Sequence, residues 1–135
     1  MSGSLIDMLI RHEGLKLKPY KCPAGKLTIG VGHNIEDLGI TREEAIHILH
    51  NDIHRVRSEL RPFPWFLQLS KPRQDAMVNM CFNLGITRFK TFKRMIAALA
   101  DHNYPKAANE MISSRWADQV GPRAVDLSDI MRGSI

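Results

Sequence analysis

The stretch HEGLKLKPYKCPAGKLTIGVGH, residues 12–33, decides how the rest of the chain is read. Leu15, Leu17 and Pro19 alternate with Lys16 and Lys18, the period of two that marks a strand. Pro23-Ala24-Gly25 is a turn signal. Leu27, Ile29 and Val31 then alternate with Thr28, Gly30 and Gly32. Two such runs about a turn predict an antiparallel hairpin or a small three-stranded sheet. Gly30 and Gly32 strip side chains from one face, which suits either the close approach of a ligand or backbone, or a plain bend. Just ahead, Ser4 is a candidate N-cap, Leu5, Met8 and Leu9 share a face, and Gly14 suits a helix end. This predicts a helix over 4–12 with Glu13 in its last turn. A helix C-terminus disfavours a carboxylate, so Glu13 must be fully solvated or held by a nearby cation.

Beyond this stretch the chain reads as helical. Thr41-Arg-Glu-Glu44 is a capping box. Ala45, Ile46, Leu49, Ile53, Val56 and Leu60 predict the buried stripe of a helix over 42–60, stopped by Pro62 and Pro64. Ser70 and Pro72 open the next helix and Gly85 ends it. Ala76, Met77, Val78, Met80, Cys81, Phe82 and Leu84 are apolar nearly all round, which predicts a central position. Further amphipathic helices carry Phe89, Phe92, Met95, Ile96 and Leu99, then Tyr104, Ala107, Ala108, Met111 and Ile112. A last one, after Gly121-Pro122, carries Val125, Leu127, Ile130 and Met131. The predicted fold is α+β, one domain over 1–135. Residues 12–40 form a small β-rich lobe, 41–60 a connecting helix, and 61–135 with 1–11 a helical lobe. The cleft between lobes is the expected ligand site.

With 135 residues, 44% hydrophobic and 24% charged, the chain can bury a core and is not of disordered composition. Its net charge of +5 favours an anionic partner: nucleic acid, anionic lipid or acidic wall polymer. Lys71/Arg73 and Lys90/Lys93/Arg94 would suit a basic binding module. No nucleic-acid motif accompanies them, and such a module leaves the hairpin glycines, Thr28 and His33 without a purpose. No run reaches the roughly 18 apolar residues of a membrane span. The start of the chain carries Asp7 and lacks a signal-peptide layout, so synthesis in the cytoplasm without stable membrane insertion is expected. Cys22 and Cys81 are expected to be free thiols.

Glu13, Cys22, Thr28 and His33 surround a hairpin rich in glycine and lysine. Two ionisable groups across a small gap are raw material for glycoside or ester hydrolysis. Spacing alone does not select between them. The stretch from His12 to His33, however, resembles the active-site hairpin of the phage-type lysozymes, the endolysins of the T-even phage lysozyme family (glycoside hydrolase family 24). The family pattern is Glu, eight residues, Asp or Cys, five residues, Thr. The resemblance extends through Asn79-Met-Cys-Phe-Asn-Leu-Gly85, Ser114-Arg-Trp116 and Pro122-Arg-Ala124, covering nearly the whole chain.

The resemblance implies a lysozyme-like fold and hydrolysis of the β-1,4 bond between N-acetylmuramic acid and N-acetylglucosamine in peptidoglycan. Glu13 matches the general acid, Cys22 the group that assists the attacking water or the developing cation, and Thr28 the residue that orients that water. Arg123 matches an arginine that pairs with the catalytic Glu, which would answer the electrostatic question about Glu13. His33 matches a histidine whose aspartate partner would be Asp52, a structural pair. Gly32, His33, Phe82, Asn83 and Arg115 match substrate-groove positions, and Trp116 a core aromatic. No cofactor or metal is implied.

Two departures matter. The segment between His33 and the long helix is short, so the small lobe is trimmed. Cys22 stands where the T-even enzyme has a carboxylate, and a protonated thiol is a poor base. Whether lysines and Arg123 lower that thiol, or Glu13 raises it, stays open. The implied mechanism is inversion by direct attack of water, with the two groups roughly 6.5–9.5 Å apart. A lytic transglycosylase and a catalytically dead murein binder are the alternatives. A monomer, released to the wall through a holin-like pore, is expected.

Overall fold

Ser4 and Gly14 bound the first helix as the sequence predicts. Helix α1 (Leu5–Glu13) is capped by Ser4, whose hydroxyl accepts the Asp7 N–H at 3.1 Å. It is closed by Gly14 at φ +80°, whose N–H donates to Ile10 O at 2.8 Å. A positive φ there suits glycine, which lacks the Cβ that would clash. The computed structural model describes residues 3–133, so the domain span expected over 1–135 reaches two residues past it at each end.

Strands β1 (Lys16–Lys21), β2 (Leu27–Gly30) and β3 (His33–Asn34) form one antiparallel sheet in the order β1-β2-β3. Tyr20 pairs with Thr28, and Thr28 in turn with Asn34. The β1–β2 ladder is irregular between Lys16 and Tyr20, where Pro19 has no N–H to give. The short segment that follows is not bare loop. It folds as a one-turn helix, α2 (Ile35–Leu38). Asn34 caps it, accepting the Asp37 N–H through Oδ1 at 3.1 Å and donating from Nδ2 to Asp37 Oδ2 at 2.9 Å. Glu36 and Asp37 in its first turn suit the positive end of the helix.

Helix α3 (Arg42–Leu60) starts on the predicted capping box. Thr41 N–H donates to Glu44 Oε1 at 2.9 Å, and Glu44 N–H donates to Thr41 Oγ1 at 3.1 Å. Then follow α4 (Pro64–Leu67), α5 (Lys71–Leu84), α6 (Ile86–Phe89), α7 (Lys93–Ala100), α8 (Tyr104–Ile112), α9 (Arg115–Val120) and α10 (Pro122–Arg132). The chain divides into two compact units, the first ending at His47 and the second beginning at Ile48, within α3.

In the second unit the core is apolar and aromatic. Trp65 stacks on Phe63 and Phe89 at 5.2 and 6.3 Å and meets Phe66 edge-on. Helix α5 buries Ala76, Met77, Val78, Met80 and Cys81. It is not apolar all round, as the sequence suggested: Phe82 is 40% exposed, beside exposed Asn79 and Asn83. The predicted stripe of α3 is buried only at Val56 and Leu60, with Ile53 packed against the core. Arg73 ties α5 to α10, its Nε donating to Met131 O at 2.9 Å while its guanidinium lies 4.1 Å from the Tyr104 ring centre. In the first unit Thr28 is the only buried residue among those described.

Candidate active site

In the first unit, α1 delivers Glu13, and the β2–β3 connection brings Gly32 against it. A Cβ built on Gly32 would stand 3.1 Å from Glu13 Cγ and Cδ and 3.2 Å from Oε2. Gly32 has φ +63° and joins β2 to β3. The glycine is therefore needed twice, for its backbone and for the room it leaves the carboxyl group. What Gly32 leaves room for is a side chain, Glu13, rather than the ligand or backbone expected, and nothing lies within 4 Å of a Cβ at Gly30. The Glu13 side chain is exposed and has no ion pair with any described residue of its own unit.

Cys22 and Thr28 come together at the β1–β2 turn. Cys22 N–H donates to Lys26 O at 3.0 Å and Gly25 N–H donates to Cys22 O at 2.8 Å, closing a tight loop. Thr28 is 2% exposed, and its hydroxyl donates to Lys26 O at 2.8 Å. The half-buried Cys22 thiol is held below its ordinary range, chiefly by the Lys26 N–H. Desolvation opposes this, while the Ala24 N–H, the Thr28 hydroxyl and the Cys22 N–H assist. Within the first unit the cause is thus backbone amides converging on sulfur rather than lysine charge. Thr28 owns a single hydroxyl proton. It can rest on Lys26 O, leaving the oxygen's lone pairs to accept, or turn to a thiolate at residue 22, but not both.

The turn is gripped from α2. Glu36 Oε1 accepts the Leu27 N–H at 3.0 Å, and Lys26 Nζ lies 3.3 Å from Asp37 Oδ1 and 3.7 Å from Glu36 Oε2. Lys26, Glu36 and Asp37 are absent from the residues singled out in the sequence. The signal is present in Asn34-Ile-Glu-Asp37, an Asx cap followed by two acids, in a connection for which the sequence reading names no element.

His33 Nε2 lies 2.7 Å from Gly39 O, which assigns the proton to Nε2 because a carbonyl can only accept. Glu44 is held below the usual carboxylate range by the Thr41 N–H first, then the Thr41 hydroxyl, and last by His33. In the second unit, Asp52 accepts from Arg55 Nη1 at 2.6 Å. Arg123 donates from Nε to Asn79 Oδ1 at 2.9 Å. Phe82 and Arg123 share a cavity of about 420 Å³ whose apolar floor includes Leu49, Ile53 and Val78. Asn83 Oδ1 accepts the indole N–H of buried Trp116 at 2.8 Å, so the asparagine orients a core aromatic. Arg115 is exposed at the start of α9. Burial pushes the Cys81 thiol up to about 11. Among the described residues no cluster of His, Cys, Asp and Glu could hold a metal ion, and no helix is long and apolar enough to cross a membrane.

Comparison with known proteins shows the family of the chain. The family model described as phage lysozyme matches residues 10–129. An endolysin of Acyrthosiphon pisum secondary endosymbiont phage 1 is 35% identical over 82% of this chain and 75% of its own length. A probable T4-type lysozyme of Dictyostelium discoideum is 28% identical over 92% of this chain and 91% of its own. A SAR-endolysin of Haemophilus phage HP1 is 32% identical over 68% of this chain and 51% of its own length.

Proposed function

We propose a division of catalytic labour for a chain that belongs to the phage lysozyme family, a lysozyme that hydrolyses peptidoglycan. Glu13 is the general acid, protonating the glycosidic oxygen between N-acetylmuramic acid and N-acetylglucosamine. Thr28 and Cys22 serve the water side. The observation that carries this reading is that Glu13 is packed on Gly32 at one end of a sheet whose other end holds the Cys22–Thr28 pair. With its proton on Lys26 O, the Thr28 hydroxyl accepts from water and turns the water's lone pair outward. Cys22, lowered by backbone amides, supplies negative charge to a developing cation when ionised and a compact polar wall when not. Water then attacks the anomeric carbon as its bond to the oxygen protonated by Glu13 breaks; the attacking water gives up its extra proton to the Cys22 thiolate or to bulk water, and the anomeric centre inverts.

The second unit supplies the remaining parts. Arg123 is the expected counter-ion of Glu13, and Asp52 the expected partner of His33. Phe82, Asn83 and Arg115, with Gly32 and His33, contact the glycan. Asn83 does so from a position fixed by Trp116. The enzyme acts on the cell wall as a monomer, released from the cytoplasm through a holin-like pore.

The experiment is lysis of permeabilised Gram-negative cells by wild type, Glu13→Gln, Cys22→Ala and Cys22→Asp. Removing the acid is expected to cost roughly 10²–10⁴-fold in rate. Full activity in Glu13→Gln overturns the assignment. The first product seen by NMR is expected to be the α-anomer. A β-anomer would end the inverting mechanism, and 1,6-anhydro ends would turn the enzyme into a transglycosylase.

A further inference from the structure

We propose that Glu36 is a positioning residue for the water side of the site, acting on Thr28 and Cys22 through the peptide bond between Lys26 and Leu27. The proposal rests on the roles given to those two residues above. Glu36 Oε1 accepts the Leu27 N–H at 3.0 Å. The carbonyl at the other end of that same peptide bond, Lys26 O, accepts the Thr28 hydroxyl at 2.8 Å and the Cys22 N–H at 3.0 Å. A peptide unit is planar, so these three bonds share one rigid plate. It cannot rotate to improve one without spoiling the others.

The plate is also polarised. A carboxylate on the N–H pushes electron density toward the carbonyl oxygen and makes it a better acceptor. The hydroxyl proton of Thr28 is thereby kept on Lys26 O and its lone pairs kept free. The second oxygen of Glu36 faces Lys26 Nζ at 3.7 Å, and Asp37 takes the same ammonium at 3.3 Å. The grip therefore fixes the backbone and the side chain of Lys26 together. The Lys26 N–H, which does most to lower the Cys22 thiol, belongs to the residue so gripped. The titratable groups around the turn are Lys21 and Lys26 on the hairpin and Glu36 and Asp37 on α2. Hydrogen bonds rather than these charges lower the thiol.

Glu36 is exposed, its side chain 46% accessible, so its ion pair with Lys26 contributes little to stability. That separates a positioning role from a structural one. The test compares Glu36→Ala, Glu36→Asp and Glu36→Gln in the full chain. It measures kcat and KM on peptidoglycan, and the pH profile of iodoacetamide alkylation at Cys22, located by mass spectrometry. Cys81, buried and pushed up to about 11, stays silent in that assay. Glu36→Ala is expected to lower kcat about 10-fold with KM unchanged within about twofold, the loss of one charge-assisted hydrogen bond. The alkylation midpoint should move to higher pH, because loosening the Lys26 N–H, the largest influence lowering the thiol, outweighs the smaller effect of the Thr28 proton released toward sulfur. Glu36→Asp, too short to reach Leu27, should match it and stands in for it should the alanine variant melt. Glu36→Gln keeps an oxygen acceptor and should recover most of both. An unchanged kcat with an unchanged alkylation profile overturns the proposal, as does a loss confined to KM, or a glutamine variant no better than alanine. The alkylation profile does not depend on turnover, so it survives a failure of the Glu13 assignment and keeps the two tests apart.

Discussion

Among the described residues, 22 apolar residues from Ile48 onward are buried in one core, while up to His47 the only buried residue is Thr28. Charge divides along the same line. Six Lys and Arg balance six Asp and Glu through His47, and thirteen face eight beyond it, so the whole net charge of +5 lies in the second unit. The first unit is held by caps and by hydrogen bonds to a few backbone groups: Ser4, Gly14, Asn34, and the peptide between Lys26 and Leu27. The second is held by contact among side chains. The proposed acid, thiol and hydroxyl all lie where polar geometry, not apolar burial, fixes position. A core tolerates small shifts by repacking. A hydrogen-bonded plate does not, and that intolerance is useful where a proton must be placed.

The contrast breaks most visibly by emptying the core. Phe89 is fully buried and stacks against Trp65. Phe89→Ala is expected to lower unfolding free energy by about 3–5 kcal/mol in urea titration. Leu17, 83% exposed on β1, is expected to change it by less than about 0.5 kcal/mol when replaced by alanine. Similar losses at the two positions would mean that the first unit owes more to apolar packing than its burial indicates.

A smaller effect on stability with a larger one on rate is expected at Gly32. An alanine there must hold φ +63°, at a cost of about 1–2 kcal/mol, and must displace the Glu13 carboxyl group that lies 3.1 Å from the new Cβ. Contacts of 3.1–3.2 Å require Glu13 to give by a few tenths of an ångström. A shift of order 1 Å in a reacting group costs about 10²-fold in rate, so a several-fold loss is expected here. Lysis kinetics beside a thermal melt check this. A stable variant with full activity would detach Glu13 from Gly32 functionally.

The two units were also unequally legible in the sequence. In the second, periodicity and punctuation were enough. Ser70, Pro72 and Gly85 bound α5 as read, and the capping box places the start of α3. What periodicity overstated was burial, because a stripe such as Ile46 and Leu49 records a preference and not a partner. In the first unit the strands and α1 could be read, but not that the room at Gly32 is for the Glu13 side chain. Nor could the reason for the lowered thiol. It depends on where backbone N–H groups point, and every residue has one. Glu36 was missed for the same reason, since its partner is the amide of Leu27, which no residue type advertises.

The smallest expected effect is at Asp75, and it tests whether surface charge in the basic unit matters to its fold. Its carboxylate pairs with Lys71 at 2.8 Å and Arg57 at 2.9 Å. Desolvation alone would raise it, but the hydrogen bonds and charges of Lys71 and Arg57 outweigh this and hold it below the usual carboxylate range. A carboxylate lowered in the folded state contributes stability above its unfolded value, and that contribution fades as pH falls through the lower folded value. Asp75→Asn should therefore cost less than about 0.5 kcal/mol at pH 7, since the group is largely exposed and screened by salt. The cost should fade as pH falls through the lowered folded value of Asp75. A loss at pH 7 as large as that of Gly32→Ala, or one that persists in acid, would mean that the basic unit depends on this acid through more than its charge.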